Sequence, residues 1–135
     1  MVWQYFDIAK DGMACKCGCG FGSSREHFNS DLMEKLDALR SLLGPLQIVS
    51  AARCLSHNET VNGEANSAHL PDEKGQCRAV DLALNDGSIK RKFYVIHANA
   101  VGFKRIGIGK SFIHVDVADD LTHHEGWWVY GSNRA

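Results

Sequence analysis

The chain reads as an α+β domain in which a mainly antiparallel sheet carries helices packed on one face. Three observations predict that class. Two segments, one from Asp31 to Leu43 and one from Ser88 to Gly102, place apolar residues at helical spacing. Two short runs, RAVDLAL and FIHVDV, alternate in character at every second residue, as strands do. The second run follows Phe103–Ile108 across a Gly109-Lys110 turn, the pattern of an antiparallel hairpin. Helix, strand, loop, strand, helix and hairpin in that order build an α+β layer.

Taken in order, residues 1–10 read as an extended lead anchored by Trp3, Tyr5 and Phe6, and 11–24 as a Cys/Gly-rich loop. Asp31 with Glu34 forms a capping pair for the first helix. Leu32, Leu36, Leu39 and Leu43 make its core stripe, and Gly44-Pro45 stops it. Leu46–Ala51 reads as a strand that delivers Arg53 at its end. The polar stretch LSHNETVNGEANS suits a cleft-shaping surface loop with one short helical turn. After RAVDLAL a turn at Asn85-Asp86-Gly87 leads to Ser88 as N-cap of the second helix. Its expected buried stripe is Ile89, Phe93, Ile96 and Ala100, with His97 beside it as a structural residue. The tail HHEGWWVYGSNRA is aromatic and ends in a loose terminus.

At 135 residues the chain is one domain, 1–135, large enough to bury a core unaided. A formal net charge of −1 without a block of like charge excludes a strongly basic nucleic-acid surface and gives no support to membrane-surface binding. No apolar run approaches a membrane span, and MVWQYFDIAKDGM lacks the features of a secretory signal. The expectation is a monomer made in the cytoplasm without a signal peptide.

The stretch NSAHLPDEKGQCRAVDLAL carries the chemistry. Ala79, Asp81 and Ala83 share one face of a strand whose other face is Val80, Leu82 and Leu84. An acid flanked by alanines on such a strand faces something polar, a metal ion or a cationic partner. FIHVDV repeats the pattern, with Phe112, His114 and Asp116 opposite Ile113, Val115 and Val117. With His69 in the loop ahead, two imidazoles and a carboxylate make a zinc site that keeps one position open for water. Each residue alone is more often a satisfied polar group than a ligand. The joint pattern is what points to a metal.

Five cysteines, 15, 17, 19, 54 and 77, are an odd number and argue against a fully paired secreted framework. CKCGCG is spaced too tightly for the common zinc-ribbon knuckle. Three states stay open: reduced thiols, a metal held with Cys54 or Cys77, or a disulfide from the cluster to Cys54.

The segments IVSAARCLSHN, GEANSAHL, RAVDLAL, GFKRIGIGKSFIHVDV and WWVY, in that order, resemble the M15 zinc peptidases, nearest the phage and prophage branch related to D-Ala-D-Ala carboxypeptidases (subfamily A). The resemblance extends over nearly the whole chain and implies a Hedgehog/DD-peptidase-like fold. It implies one zinc ion per chain held by His69, Asp81 and His114, with Arg53 approaching a substrate carboxylate and Ser67 near the substrate backbone. It also implies hydrolysis of a peptide bond in bacterial peptidoglycan stem peptides, by carboxypeptidase trimming or endolysin-like endopeptidase cleavage, at the cell wall. Two departures stand out. Eleven residues separate His69 from Asp81, more than in relatives, with PDEKGQC as the excess. Ser111 occupies the position where many relatives hold the general base, three residues before the last ligand. Asp116 is the nearest replacement as proton-transfer carboxylate, or else it orients His114. His123 and His124 are either oxyanion helpers or part of a solvated turn. A non-catalytic zinc-containing relative that binds cell-wall peptide or a protein, and a module organised on the Cys cluster, are the rival classes.

Overall fold

The computed structural model describes residues 2–84, 88–121 and 126–130, the side chains of Ser88 and Ile89 apart. The expected turn at 85–87 and residues His123 and His124 lie outside that range. Within it the sheet has five strands: β1 (Ile48–Ser50), β2 (Ala79–Ala83), β3 (Arg105–Ile108), β4 (Phe112–Asp116) and β5 (Gly126–Val129). Their spatial order is β1-β2-β4-β3-β5. The first three pairings are antiparallel, and β5 joins β3 in parallel, so the sheet is mixed. The helices are α1 (Ser30–Leu43), α2 (Leu55–Thr60) and α3 (Ser88–Ala100). No helix among the described residues is long and apolar enough to cross a membrane.

Strand alternation assigns the two faces of the sheet. Val80 and Leu82 of β2, Ile106 of β3, and Ile113 and Val115 of β4 are fully buried in one core. Leu32, Met33, Leu36 and Leu39 of α1 pack into the same core with Val95 and Ala98 of α3, so these two helices cover one face. Asp81, Arg105, His114 and Asp116 therefore project from the other. The start of α1 is capped by Asn29, whose side chain accepts from the Leu32 amide, and not by the expected Asp31–Glu34 pair. Asp31 instead pairs with Lys35 one turn on. An Asx side chain just outside the first turn reaches the free amides better than one already inside it.

Two further expectations are corrected. The N-terminal lead forms turns and no strand. Asp37 of α1 accepts from the Gln4 and Tyr5 amides, while Phe6 is buried and Trp3 packs edge-on against Phe28. On α3 the buried stripe is rotated: Phe93 and Ile96 are about half exposed, at 50% and 53%, while Val95 and Ala98 face the core with Tyr94 and Val101 beside them. The helix offers apolar residues on two sides, and the small Ala98 suits the close approach to the sheet. The aromatic tail, to which no element was assigned from sequence, supplies β5.

The residues between His69 and β2 form a compact loop. Asp72 accepts from the Lys74 and Gln76 amides and pairs with Arg78. Cys77 exchanges backbone hydrogen bonds with His27 and Asn29, which ties the loop to the entry of α1.

Candidate metal centre

Antiparallel register brings the polar face together. Asp81 of β2 lies opposite His114 of β4, and Asp116 lies between Ala79 on one side and Arg105 on the other. His69 reaches the same point from its loop because the Arg53 amide donates to the His69 carbonyl and the Arg78 amide to the Ala68 carbonyl. Ala68, Ala79 and Ala118 form a small apolar patch beside it. One ligand atom from each of His69, Asp81 and His114 lies within 4.8 Å of the other two. The imidazoles are almost fully buried, at 2% and 4% exposure, and Asp81 is partly open to solvent.

Each histidine has one ring nitrogen committed to the protein. His69 Nδ1 lies 2.6 Å from the Ala51 carbonyl, which can only accept, so Nδ1 carries a hydrogen. His114 Nε2 lies 2.6 Å from Asp116 Oδ2. Asp116 is itself held ionised, because burial is outweighed by His114 and by Arg105, whose Nε donates to Oδ1 at 2.7 Å. In the neutral rings the remaining nitrogens, His69 Nε2 and His114 Nδ1, are lone pairs. Both face Asp81 Oδ1, at 3.2 and 2.9 Å. Two lone pairs against one carboxylate oxygen repel unless a cation stands among them. A proton can fill that role. Burial disfavours a charged His114, yet Asp116 and Asp81 push its pKa up to about 9, while burial of Asp81 is outweighed by the imidazoles, which hold it well below the usual carboxylate range. A metal fits the same donor set: two imidazole nitrogens and a carboxylate oxygen, each imidazole oriented through its far nitrogen.

Asp116 is fully buried, and both its oxygens are engaged, Oδ1 by Arg105 and the Ala118 amide and Oδ2 by His114. In that geometry Asp116 touches the ring nitrogen of His114 that points away from Asp81, which favours the expected alternative of orienting His114 over proton transfer. Ser111 is exposed in the turn before β4.

Arg53 and Ser67 adjoin this candidate metal group. Ser67 Oγ accepts from the His69 amide at 3.1 Å and lies 3.4 Å from Arg53 Nη2. The Nε of Arg53 is buried with no hydrogen-bond partner among the described residues. On the opposite side, β5 adds a wall that strand patterns in the sequence did not assign. Trp128 and Tyr130 stand 5.4 and 6.5 Å from the His114 ring, and the Arg105 guanidinium lies 4.8 Å over Trp128. Gly107 makes room for them: a Cβ there would lie 2.7 Å from Trp128 and 2.8 Å from Tyr130. Burial, together with the Asp81 charge, raises the Tyr130 phenol to about 12, so it keeps its proton. The only sequence signal for this wall was the WWVY segment itself.

One histidine on β4, one from the loop before β2 and an aspartate on β2, with a partly unsatisfied arginine alongside, form a donor set of the kind metallohydrolases use. The sequence model of the family described as Peptidase M15 matches residues 5–116, and the chain belongs to that family of peptidases. The match includes Arg53, Ser67, His69, Asp81, His114 and Asp116 and ends before β5. No curated protein matches the chain.

Proposed function

We propose that the chain is a zinc peptidase acting on stem peptides of bacterial peptidoglycan, with His69 Nε2, Asp81 Oδ1 and His114 Nδ1 as the metal ligands. The observation that carries the substrate side is Arg53: a buried guanidinium nitrogen without a partner beside the metal-binding group calls for an anion. A peptide carboxylate near the scissile bond satisfies it in the bidentate manner for which arginine is suited. Zinc, when bound, supplies an acidified water and polarises the scissile carbonyl. The chain's own residues do the rest. The Ala51 carbonyl and Asp116 fix the two imidazole tautomers, Ser67 holds Arg53 against the His69 loop, and the Tyr130 phenol offers a proton donor. Trp128 and Tyr130 shield one side of the site from water.

A second reading, a relative that binds cell-wall peptide without cutting it, draws support from Ser111 and from the engagement of Asp116. Digestion separates the two. Purified peptidoglycan treated with zinc-loaded protein and analysed by mass spectrometry should yield shortened stem peptides or released D-alanine. An unchanged muropeptide profile together with retained protein on the sacculi would support the binding reading and overturn the enzymatic one.

A further inference from the structure

The cysteines of the CKCGCG loop, for which a metal or a disulfide shared with Cys54 was among the open states, do meet Cys54 in the fold. Cys15, Cys17 and Cys19 come from the loop before α1, and Cys54 from the segment after β1. One Sγ from each lies within 4.8 Å of all the others. The shorter separations are 3.4 Å for Cys15–Cys17, 3.5 Å for Cys17–Cys54 and 3.8 Å for Cys15–Cys54. None is a disulfide. A disulfide requires about 2.0 Å. Four thiolates around one tetrahedral zinc, with Zn–S bonds of about 2.3 Å, stand about 3.8 Å apart. The observed spacing is that of ligands around a shared ion.

The surrounding backbone suits the same purpose. Cys15 and Cys54 each receive an amide at Sγ, from Cys54 and His57 respectively, both at 3.4 Å. Such donors favour a sulfur that carries charge. One residue between successive ligands is too little for an ordinary knuckle. Here Gly18 and Gly20, with φ of 79° and 99°, turn the chain back between and after them in a conformation side chains rarely adopt. Cys77 is not part of the group. It is fully buried and donates to the Ala79 carbonyl.

We propose that Cys15, Cys17, Cys19 and Cys54 bind a second zinc ion as a closed, structural tetrathiolate site, the four thiol protons being released on binding. This revises the expectation of one zinc per chain. Its task follows from what it ties together. The Ala52 amide donates to the Met13 carbonyl, and Gly22 lies so near that a Cβ on it would come within 2.5 Å of Ala52 Cβ. The clamped segment, 51–54, supplies the carbonyl that orients His69 and the arginine next to it. The second ion therefore positions the first site without touching it.

The test uses the full chain purified under reductant, with elemental analysis and cobalt substitution. Two zinc ions per wild-type chain are expected, one in His69→Ala and one in Cys17→Ser, while Cys77→Ala keeps both. Cobalt-loaded His69→Ala should show thiolate-to-cobalt charge-transfer absorption. Cys17→Ser should lack it. Should Cys17→Ser fail to fold, the cobalt spectrum of His69→Ala decides alone. A single zinc that disappears with His69→Ala, absence of the thiolate band from the cobalt-loaded protein, or a Cys15–Cys54 or Cys17–Cys54 disulfide found by peptide mapping of anaerobically purified protein would each overturn the proposal.

Discussion

His69 and His114 solve one problem in two ways: each must present a single lone pair, and each spends its other nitrogen to do so. For His114 the partner is Asp116, which gives a sharp prediction. In Asp116→Asn an amide can replace the Oδ2 acceptor and turn a donor toward a donor. Zinc affinity should fall about 10- to 100-fold, and saturating zinc should restore turnover. A loss of about 10²- to 10⁴-fold that persists at saturating zinc would instead make Asp116 the general base. The pKa of His114 sets a pH dependence as well. Its folded value, about 9, lies above the usual 6.5, so in chelated protein the protonated ring contributes stability in full below pH 6.5 and loses it as pH rises toward 9. Zinc requires that nitrogen without its proton, so apparent affinity should rise with pH up to about 9 and then level off. Isothermal titration in buffers of different ionisation enthalpy should detect a proton released at pH 7; no release would mean that His114 is already neutral before zinc binds. At Arg53, replacement by Lys keeps the charge and removes the fork. The expected cost in kcat/KM on a peptide with a free C-terminus is about 1.5–3 kcal/mol, with zinc retained. An unchanged rate would make Arg53 structural.

At the level of elements, β2 and β4 were legible because alternation is a strong signal when one face is wholly apolar. Val80, Leu82, Ile113 and Val115 left the acids and His114 only one direction to point. Two features were not legible for identifiable reasons. The phase of α3 depends on which of two apolar sides meets α1 and the sheet, a choice made by tertiary packing. β5 is a parallel edge strand whose partner, β3, precedes it by a whole hairpin, and WWVY lacks a polar alternate that would reveal a face. Its placement is held by Gly107, and there the element makes its own prediction. Gly107→Ala inserts a methyl group where Trp128 and Tyr130 lie, at a cost of about 1–3 kcal/mol if the rings are forced aside. Tryptophan fluorescence and near-UV circular dichroism should change, and kcat/KM should drop while zinc stays bound. Unaltered spectra and activity would mean that the wall plays no part in the site.

Across the whole molecule, a single sheet separates two tasks: helices and core on one face, ionisable groups on the other. The three candidate ligands are distant in sequence; Asp81 and His114 stood out because each sits at a polar position of a strand bordered by apolar residues, and His69 through its polar loop ahead of β2 and the resemblance to M15 peptidases. What the chain alone could not supply was direction. It left Asp116 two roles, and the register of β4 against β3, which sets Arg105 beside it, favours the orienting one. It also left the cysteines three states, since Cys15 and Cys54 are 39 residues apart and meet only through folding. In the proposed function one zinc ion is shared by three particular atoms. An anomalous difference map at the zinc edge, from crystals of the zinc-loaded protein, tests it most directly. A peak is expected about 2.0–2.2 Å from His69 Nε2, Asp81 Oδ1 and His114 Nδ1. A map without density among those atoms, or with the ion on His114 Nε2, would contradict it.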